Sequence, residues 1–412
     1  MEKQQNKIPL VRFPEFKEAW EVKKLGAVAV INPKSNELPN NFIYIDLESV
    51  KKGVLLKEIK IEKVEAPSRA QRLLSRDDIL FQMVRPYQKN NLFFDIDENQ
   101  YVASTGYAQI KAKGNPKYLF HFIHTSKFVD NVLLRCTGTS YPAINSSDLS
   151  KINVSFPSLP EQQKIAHFFT TLDKKINQLE EKKNGLEKYK KGMMQQIFSQ
   201  ELRFKDENGN DFPDWEEKKL GEVTNYTKGF AFKSSNYSDI GSRIIRVSDL
   251  GDSKIKSKCN KIFINESRSK DFVKYKLIKG DIIITTVGSN PELRGSSVGR
   301  GILVMEDNLG YLNQNLLKFN VNSEFNNEFI YGFINTDKYF HYIKSVKRGN
   351  ANQANITVVD LLDYKIALPN LDEQTKIANF LSKIDAKINA VNTQIEQTNT
   401  YKKGLLQSMF VN

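Results

Sequence analysis

Apolar residues recur every three or four positions, or at sums of these spacings, in residues 159–198 and 371–410. The first stripe consists of Ile165, Phe168, Leu172, Ile176, Leu179, Leu186, Met193 and Ile197. The second consists of Ile377, Phe380, Ile384, Ile388, Val391, Ile395, Leu405 and Met409. A stripe of this kind runs along one face of a long helix and has to be covered by another helix. The pattern therefore predicts two helical rods, each about 60 Å long.

The two rods begin in a similar way and are close copies of each other. Proline stands at or just before each start (Pro160 and Pro369) and acidic residues follow, which favours a helix N-terminus. The two forty-residue segments are identical at 17 positions without a gap, at an offset of 212 residues. We expect the rods to pair with each other, antiparallel. Pairing with helices of other subunits remains open.

The repeat extends beyond the rods. Residues 20–26 read WEVKKLG and residues 215–221 read WEEKKLG, and these contain both tryptophans of the chain. The segment LVRFP at residues 10–14 also has a counterpart, LRF, at residues 202–204 after the first rod. A period of this length indicates two copies of one domain-sized unit rather than a solenoid. The order of link, domain and rod is cyclic, so we expect the end of the chain to return near its start, about a pseudo-two-fold axis.

The segments between the rods share several matched positions but differ in the sequences between them. Residues 78–81 (DILF) match residues 281–284 (DIII), as a buried strand after a turn, and Ile144 and Asp148 match Ile356 and Asp360. Short β-branched and aromatic runs separated by Gly, Pro, Asn and Asp predict mixed α/β (α+β) domains with long loops. The predicted organisation is a first globular domain over 1–157, a helical region over 158–200, a second globular domain over 201–369, and a helical region over 370–412.

Composition narrows the class of protein. The chain has 412 residues, 40% hydrophobic and 26% charged, as in ordinary globular proteins. It shows neither a secretion signal nor an apolar run that could span a bilayer, and its two cysteines, Cys136 and Cys259, occupy non-equivalent places in the two copies. We therefore expect a cytoplasmic protein that uses neither a repeated disulfide nor a repeated metal site. The net charge of +13 favours a polyanionic partner, although a lysine-rich surface can also reflect an AT-rich genome.

Motifs for catalysis are missing from the sequence. It contains no GxxxxGK[ST] phosphate loop, no glycine-rich loop for S-adenosylmethionine and no GxSxG nucleophile elbow. His121 and His124 have the spacing of one helix face, but no third ligand lies nearby, so we interpret them as partly buried helix residues. We expect this chain to bind rather than to catalyse, with no cofactor of its own.

Loops after the matched strands are rich in side chains that contact nucleic acid. Arginine pairs with guanine, asparagine and glutamine pair with adenine, and lysines and hydroxyls hold phosphates. The predicted DNA-binding residues of the first copy are Arg85, Tyr87, Gln88, Lys89, Asn90, Asn91, Arg135, Thr137, Thr139, Ser140 and Tyr141. Those of the second copy are Thr285, Ser289, Asn290, Arg294, Ser296, Lys347, Arg348, Asn350, Asn352 and Gln353. Each alone is typical of a solvated loop, so the prediction depends on their clustering at equivalent places.

The chain resembles the specificity subunit of Type I restriction–modification systems over essentially its whole length. The resemblance is carried by the two WExKKLG segments, the DIL-type strands, and PSLPEQQKIA and PNLDEQTKIA at residues 157–166 and 369–378. It implies two target-recognition domains, each binding half of a split double-stranded DNA site, and two antiparallel helical regions that set the spacing. It also implies two modification and two restriction subunits as partners, which carry S-adenosylmethionine, ATP and Mg²⁺ and carry out adenine methylation and cleavage. Asp372, where the first copy has Pro160, departs from the pattern at that helix start.

Two other functions are weighed against this one. A non-catalytic assembly scaffold would use the same paired helices but would bind proteins through its globular domains. The basic charge and the polar loops favour DNA over that alternative. A self-contained methyltransferase–nuclease is disfavoured by the missing motifs. The bases of the half-sites and the spacer length do not follow from the sequence, because base recognition depends on loop geometry and DNA shape as well as on side-chain type.

Overall fold

The computed structural model describes residues 8–34, 37–98, 100–251, 253–257, 259–289, 298–349 and 353–411. The chain divides into two compact units. The first unit is Met1–Glu181 with Asn392–Asn412, and the second is Lys182–Val391. Both dividing points fall within the two long helices, so each unit contains a globular part and portions of both helices. The four domain boundaries stated from the sequence stay a prediction.

The globular part of the first unit is built from short strands and short helices. Its strands are β1 (Glu21–Lys24), β2 (Ala29–Ile31), β3 (Asn41–Ile45), β4 (Val50–Lys51), β5 (Val54–Leu55), β6 (Ile59–Glu62), β7 (Ala70–Leu73), β8 (Asp78–Gln82), β9 (Leu92–Phe94), β10 (Tyr101–Ser104), β11 (Tyr107–Ala112) and β12 (Asn153–Phe156). Its helices are α1 (Leu25–Val28), α2 (Pro116–Phe122), α3 (Ser126–Leu133) and α4 (Ser146–Ser150), with 3-10 turns at Lys63–Glu65 and Pro86–Gln88.

Two four-stranded sheets organise this part. One has the order β2-β11-β8-β9 and is antiparallel, and the other has the order β6-β3-β10-β7, in which β10 runs parallel to β3. Strand β8 is buried at all five positions, as predicted for the DILF segment. Helices α2 and α3 are capped by Asn115 and Thr125, the residues just before each helix, whose side chains accept hydrogen bonds from backbone N–H groups of the first turn. Their apolar faces pack on Phe81 and Ile110 of the antiparallel sheet.

The second unit repeats this plan. Its strands are β13 (Glu216–Lys219), β14 (Thr224–Lys228), β15 (Tyr237–Ser238), β16 (Ser242–Ile245), β17 (Ile262–Ile264), β18 (Ile282–Thr285), β19 (Val287–Gly288), β20 (Gly301–Leu303), β21 (Tyr311–Leu312), β22 (Leu316–Val321), β23 (Arg348–Gly349), β24 (Ala354–Asn355) and β25 (Lys365–Leu368). Its short helices are α6 (Leu220–Val223), α7 (Asn327–Phe333), α8 (Asp337–Val346) and α9 (Val358–Leu362), with 3-10 turns at Ser234–Asn236, Val247–Asp249 and Glu266–Tyr275. The antiparallel sheet β14-β22-β18-β20 corresponds to β2-β11-β8-β9, and β15-β17-β16-β21 corresponds to the other sheet.

The two predicted rods are α5 (Leu159–Phe198) and α10 (Leu371–Ser408). Within the first unit, Asp173 of α5 pairs with Lys402 of α10. Within the second unit, Lys190 Nζ lies 2.7 Å from Asp385 Oδ1. Inside each unit, positions later in one helix therefore meet positions earlier in the other, which confirms the antiparallel pairing. Half of the stripe residues are buried, namely Ile165, Ile176, Leu179, Ile197, Ile377, Ile384, Val391 and Met409, and the other half are half-buried.

A buried arginine–glutamate–tryptophan junction ties the globular part to the start of a long helix. In the first unit, Arg12 Nε and Nη2 donate to the two carboxylate oxygens of Glu161 at 2.8 Å, and Trp20 Nε1 donates to Glu161 Oε1 at 3.3 Å. Glu161 is 1% exposed. This ion pair joins the link, the opening strand segment and the rod, so three repeated sequence features meet at one carboxylate.

The second unit has the same junction. Arg203 Nε and Nη2 donate to Glu373 at 3.2 and 2.7 Å, and Trp215 Nε1 donates to Glu373 Oε2 at 3.1 Å. The following glutamine is repeated as well. Gln162 Nε2 donates to Pro157 O at 2.9 Å, and Gln374 Nε2 donates to Pro369 O at 2.8 Å. The Glu-Gln pair at the start of each rod is thus a structural element that connects the helix to its domain.

The cyclic order of the repeat is visible in one hydrogen bond. In the first unit Val11 N–H donates to Ser408 O at 3.0 Å, and in the second Leu202 N–H donates to Gln196 O, also at 3.0 Å. Gln196 and Ser408 are 212 residues apart. The same contact therefore forms through a short covalent link in one unit and between distant ends of the chain in the other, so the predicted return of the chain end to its start is confirmed. Among the helices that the structure describes, none has the length and apolar character needed to cross a membrane.

Candidate nucleic-acid interface

Two loops of the first unit that carry predicted DNA-binding residues are held side by side. Ala143 forms antiparallel bridges with both Val84 and Thr137. Arg85 N–H donates to Pro142 O at 2.8 Å, and Ile144 N–H donates to Met83 O at 3.1 Å. We call residues 84–91 with residues 135–143 the first loop pair. Backbone pairing brings together side chains that are about fifty positions apart in the sequence.

The second unit holds its loops by the same pairing. Asn355, which is 212 residues after Ala143, pairs with both Val287 and Arg348 in the small sheet β19-β24-β23. Ile356 N–H donates to Thr286 O at 3.1 Å, as Ile144 does to Met83. We call residues 285–289 with residues 347–349 and 353–355 the second loop pair. Within the described residues, the loops of the two units are therefore held by equivalent backbone pairing.

In the first loop pair, most of the predicted side chains face solvent. Thr137, Thr139, Ser140, Gln88 and Arg135 are exposed. The exposed fractions of Tyr87 and Tyr141 are 50% and 64%. The Arg85 guanidinium lies over the Tyr141 ring, with Cζ 4.1 Å from the ring centroid. Because Arg85 belongs to one loop and Tyr141 to the other, this stack spans the pair.

Residues 89–91 form hydrogen bonds with other parts of the protein. Lys89 Nζ donates to His124 O at 2.8 Å, and burial lowers the pKa of this ammonium. Asn90 Oδ1 accepts from Lys52 N–H at 3.1 Å. Asn91 is 1% exposed: its Oδ1 accepts from Gln82 N–H at 2.9 Å, and its Nδ2 contacts His124 Nε2 at 3.3 Å. The prediction that Asn91 contacts DNA is therefore wrong, because its amide is enclosed and both ends are bonded.

His124 is hydrogen-bonded through both of its ring nitrogens. Its Nδ1–H donates to Phe120 O at 2.7 Å, which leaves Nε2 as the acceptor for Asn91. Burial lowers the pKa of His124 to about 4, so the ring is neutral at physiological pH. The interpretation of both histidines as partly buried helix residues holds for His121, which lies in α2 and is 3% exposed, but not fully for His124, which is half-buried in the turn that follows α2. No group of three His, Cys, Asp or Glu side chains within the described ranges could hold a metal ion.

The second loop pair differs in its side chains. Thr285 is 2% exposed within β18, so the prediction that it contacts DNA is wrong: its position is part of the sheet core. Gln353 is exposed, and Ser289 and Lys347 are half-buried. Arg348 is exposed, but its guanidinium forms a two-point ion pair with Asp360, with Nη2 3.2 Å from Oδ1. The bond to Arg348 is the main reason that the pKa of Asp360 falls to about 2. Asn290, Arg294, Ser296, Asn350 and Asn352 lie outside the described residues.

Sequence reasoning missed one part of this surface. Strands β4 and β5 form a hairpin whose two central residues, Lys52 and Gly53, have φ values of 51° and 82°. Positive φ at both positions is the geometry of a type I′ turn. Lys51 and Lys52 are exposed beside Asn90, to which Lys52 is bonded. The available signal was a Lys-Lys-Gly segment between Val50 and Val54, and it places two cations next to the first loop pair.

The comparisons with known proteins agree with this architecture. The family model "Type I restriction modification DNA specificity domain" matches residues 17–188 and again residues 213–399. The chain is 26% identical over 403 residues to the Type I restriction enzyme MjaVIII specificity subunit of Methanocaldococcus jannaschii, covering 94% of this chain and 91% of that one. It is 30% identical over 216 residues to the putative Type I restriction enzyme MjaX specificity subunit of the same organism, covering 52% and 50%.

Solved structures show the same fold. The crystal structure of a Type I restriction-modification system S subunit from M. genitalium superposes with a TM-score of 0.60 at 14% identity, covering 98% of this chain and 99% of that one. A chain from a study of complex assembly and conformational transition of the type I R-M system superposes with a TM-score of 0.54 at 23% identity, covering 95% and 96%. Both copies of the repeat are thus matched in sequence and in fold. The chain belongs to the Type I restriction modification DNA specificity domain family and is a specificity subunit of a Type I restriction–modification system.

Proposed function

We propose that this chain recognises a split double-stranded DNA sequence, with one loop pair on each half-site. The observation that carries the proposal is the shared backbone pairing: Ala143 and Asn355 each join two loops in the same way, while the loop side chains differ. One scaffold that presents two different sets of polar side chains suits a target with two unlike halves. A net charge of +13 supports binding to the phosphate backbone.

In this proposal the chain directs chemistry that its partners perform. Two modification subunits methylate adenine and two restriction subunits cleave, and these partners hold S-adenosylmethionine, ATP and Mg²⁺. The chain itself has no catalytic role: the exposed side chains of its loops are amides, hydroxyls, tyrosines and cations, which are the groups that contact bases and phosphates. We expect the protein to act in the cytoplasm.

Methylome sequencing tests the proposal. A host expressing this chain with its modification subunit should carry methylated adenines in a motif of two short blocks separated by a spacer of unspecified bases. Deleting the gene for this chain should remove the methylation. A continuous motif without a spacer would contradict the assignment of one loop pair to each half-site.

An assembly scaffold that binds proteins through its globular parts is the alternative. The cations and exposed aromatic side chains of the first loop pair favour DNA over a protein partner, because residues 84–91 and 135–143 carry Arg85, Lys89 and Arg135 and contain neither Asp nor Glu. Electrophoretic mobility with duplexes of random sequence separates the two functions. A scaffold would show no retention at any salt concentration, whereas a DNA-binding subunit retains duplexes at low salt and loses them steeply as salt rises.

A further inference from the structure

The loop pairs contain three arginines in the described part of the chain, and only one of them leaves its guanidinium N–H groups uncommitted. Arg135 Nη1 donates to Asn131 O at 2.8 Å, and Arg348 is paired with Asp360. Within the described residues, the Arg85 guanidinium makes no hydrogen bond or ion pair, and its contact is the face of Tyr141. All of its N–H donors therefore point to solvent or to a ligand.

The backbone of Arg85 is fixed in an unusual conformation. Its φ and ψ are 55° and 54°, the left-handed region that residues other than glycine rarely adopt. Its N–H is bonded to Pro142 O, and the following Pro86 is buried. Strain of this kind persists only where the surroundings impose it, and it is concentrated at functional sites. The backbone position from which the Arg85 side chain extends is therefore fixed.

Tyr141 completes the arrangement from the other loop. Stacking on an aromatic ring holds a guanidinium in one plane while its edge stays free to donate. Gly138 has a φ of 87°, which allows the chain to turn back before Tyr141. A Cβ added at position 138 would lie 3.2 Å from Tyr141 O. A planar fork with two parallel donors matches the O6 and N7 acceptors of guanine in the major groove, and no other base presents two acceptors there in that arrangement.

We propose that Arg85, held on the Tyr141 ring, reads a guanine in the half-site bound by the first unit. This inference rests on the proposed DNA-recognition function and adds to it the identity of one base and of the residue that reads it. The competing role for Arg85 is a phosphate contact, which would strengthen binding to every sequence alike.

The test uses the full-length chain and a duplex containing the motif found by methylome sequencing. Each guanine of the half-site assigned to the first unit is replaced in turn by 7-deazaguanine, which lacks the N7 acceptor. For the wild-type chain, we expect the Kd to rise at least about 5-fold when one of these guanines is replaced. Arg85→Ala should weaken binding to the unmodified duplex roughly 5- to 150-fold and should be insensitive to the deaza substitution at that position.

Conservative variants separate the guanidinium from its charge and the ring from its hydroxyl. Arg85→Lys keeps the charge and can still reach O6 and N7, but it loses the planar fork that stacks on Tyr141, so its discrimination at the same guanine should fall between that of the wild-type chain and that of Arg85→Ala. Tyr141→Phe should retain the discrimination and Tyr141→Ala should reduce it. Hydrogen exchange of β8 and β11 verifies that the variants are folded.

Three results would overturn the proposal. Equal weakening on cognate and scrambled duplexes, with a shallower salt dependence, would make Arg85 a phosphate contact. Unchanged affinity would leave it a solvated arginine. Unchanged sensitivity of Arg85→Ala to the 7-deazaguanine substitution would show that another residue reads that guanine. In each case a wild-type chain that still prefers the intact motif would leave the proposed DNA-recognition function standing, whereas equal wild-type affinity for all duplexes would remove that function itself.

Discussion

The two units share their junctions but not the polar groups in the interior of their central sheets. Both contain the arginine–glutamate–tryptophan junction with nearly the same bond lengths. The buried aspartate at the start of the matched strand, by contrast, has different partners. Asp78 Oδ2 accepts from Gln109 Nε2 at 2.7 Å, whereas Asp281 Oδ2 accepts from Lys318 Nζ at 2.9 Å and its Oδ1 accepts from Asn320.

This contrast shows which contacts the repeat retains. The contacts common to both units join the globular part to the helices, so they determine how loops are held relative to the rods. The interior polar partners belong to each globular part alone and differ in how well they are satisfied: both carboxylate oxygens of Asp281 accept hydrogen bonds, whereas Asp78 Oδ1 and Gln109 Oε1 are buried without one. We infer that the helix junctions define the scaffold and that the remaining contents of each unit are free to differ.

The largest expected effect comes from breaking the shared junction. Glu161→Gln and Glu373→Gln remove a buried carboxylate and leave a half-buried guanidinium without its charged partner, which costs about 3–5 kcal/mol of unfolding free energy. Hydrogen exchange reports on the units separately: Glu161→Gln should lower protection in β12 and Glu373→Gln in β25. Glu187→Gln is the matched control, because Glu187 forms only an exposed pair with Lys183. Similar losses in the two units are expected, and a loss in one unit alone would contradict the equivalence of the junctions.

The interior aspartates should respond unequally. Asp281→Asn leaves Lys318, 6% exposed, without its counter-charge, so we expect a loss of about 3–5 kcal/mol in the second unit. Asp78→Asn breaks a weaker contact, because the Lys111 side chain is half-exposed and its Nζ lies 4.0 Å from Asp78 Oδ1. We expect a loss of at most about 1 kcal/mol in the first unit. Unit-specific hydrogen exchange in β8 and β18 measures both, and equal losses would refute this distinction.

The same pair predicts a difference in pH dependence. Burial raises the pKa of Asp78, so the folded state holds this proton more tightly than the unfolded chain does. Its contribution to stability is therefore fully present below the unfolded pKa and is lost as pH rises through the folded pKa. Asp78→Asn should flatten the pH dependence of first-unit stability over that interval. An unchanged profile in unit-specific hydrogen exchange would show that the carboxyl is already ionised there.

A smaller effect is expected in the second loop pair. Arg348→Ala should weaken binding to the half-site of the second unit by roughly 5- to 150-fold if the arginine contacts a base, and leave preference within the first half-site intact. Because Arg348 also pairs with Asp360, Asp360→Asn is the control: it breaks the ion pair, retains the side-chain acceptor for Thr357 N–H, and leaves the arginine free. Titration against duplexes scrambled in one half at a time, at fixed salt, distinguishes them. Equal weakening by both variants would make Arg348 a scaffold residue.

The smallest effect concerns the ion pairs between the rods. Lys190–Asp385 and Lys402–Asp173 occupy equivalent positions in the two units and are partly exposed. Exposed pairs of this kind contribute about 0.2–1 kcal/mol each. Double-mutant cycles with Lys→Met and Asp→Asn should give similar coupling energies in both units, which fall as salt rises. A coupling energy above this range would indicate that these pairs help to hold the rods together.

Periodicity predicted the rods closely, because an apolar stripe along a helix is a local property of the sequence. The structure ends α10 at Ser408 and gives α5 the limits of the repeated segment. The junction could not be derived in the same way, since Arg12 and Glu161 are 149 positions apart and nothing local specifies their pairing. Asn91 illustrates the limit for the site: an amide in a polar loop resembles a solvated residue until the fold places His124 against it.

The most direct test of the central claim is selection of bound duplexes from a randomised library by the wild-type chain, Arg85→Ala and Arg348→Ala. The wild-type chain should select two short blocks of defined bases separated by a spacer of undefined bases. Arg85→Ala should relax a position in one block, and any position that Arg348→Ala relaxes should lie in the other block. Selection of a single uninterrupted block, or changes by both variants within the same block, would contradict recognition of one half-site by each unit.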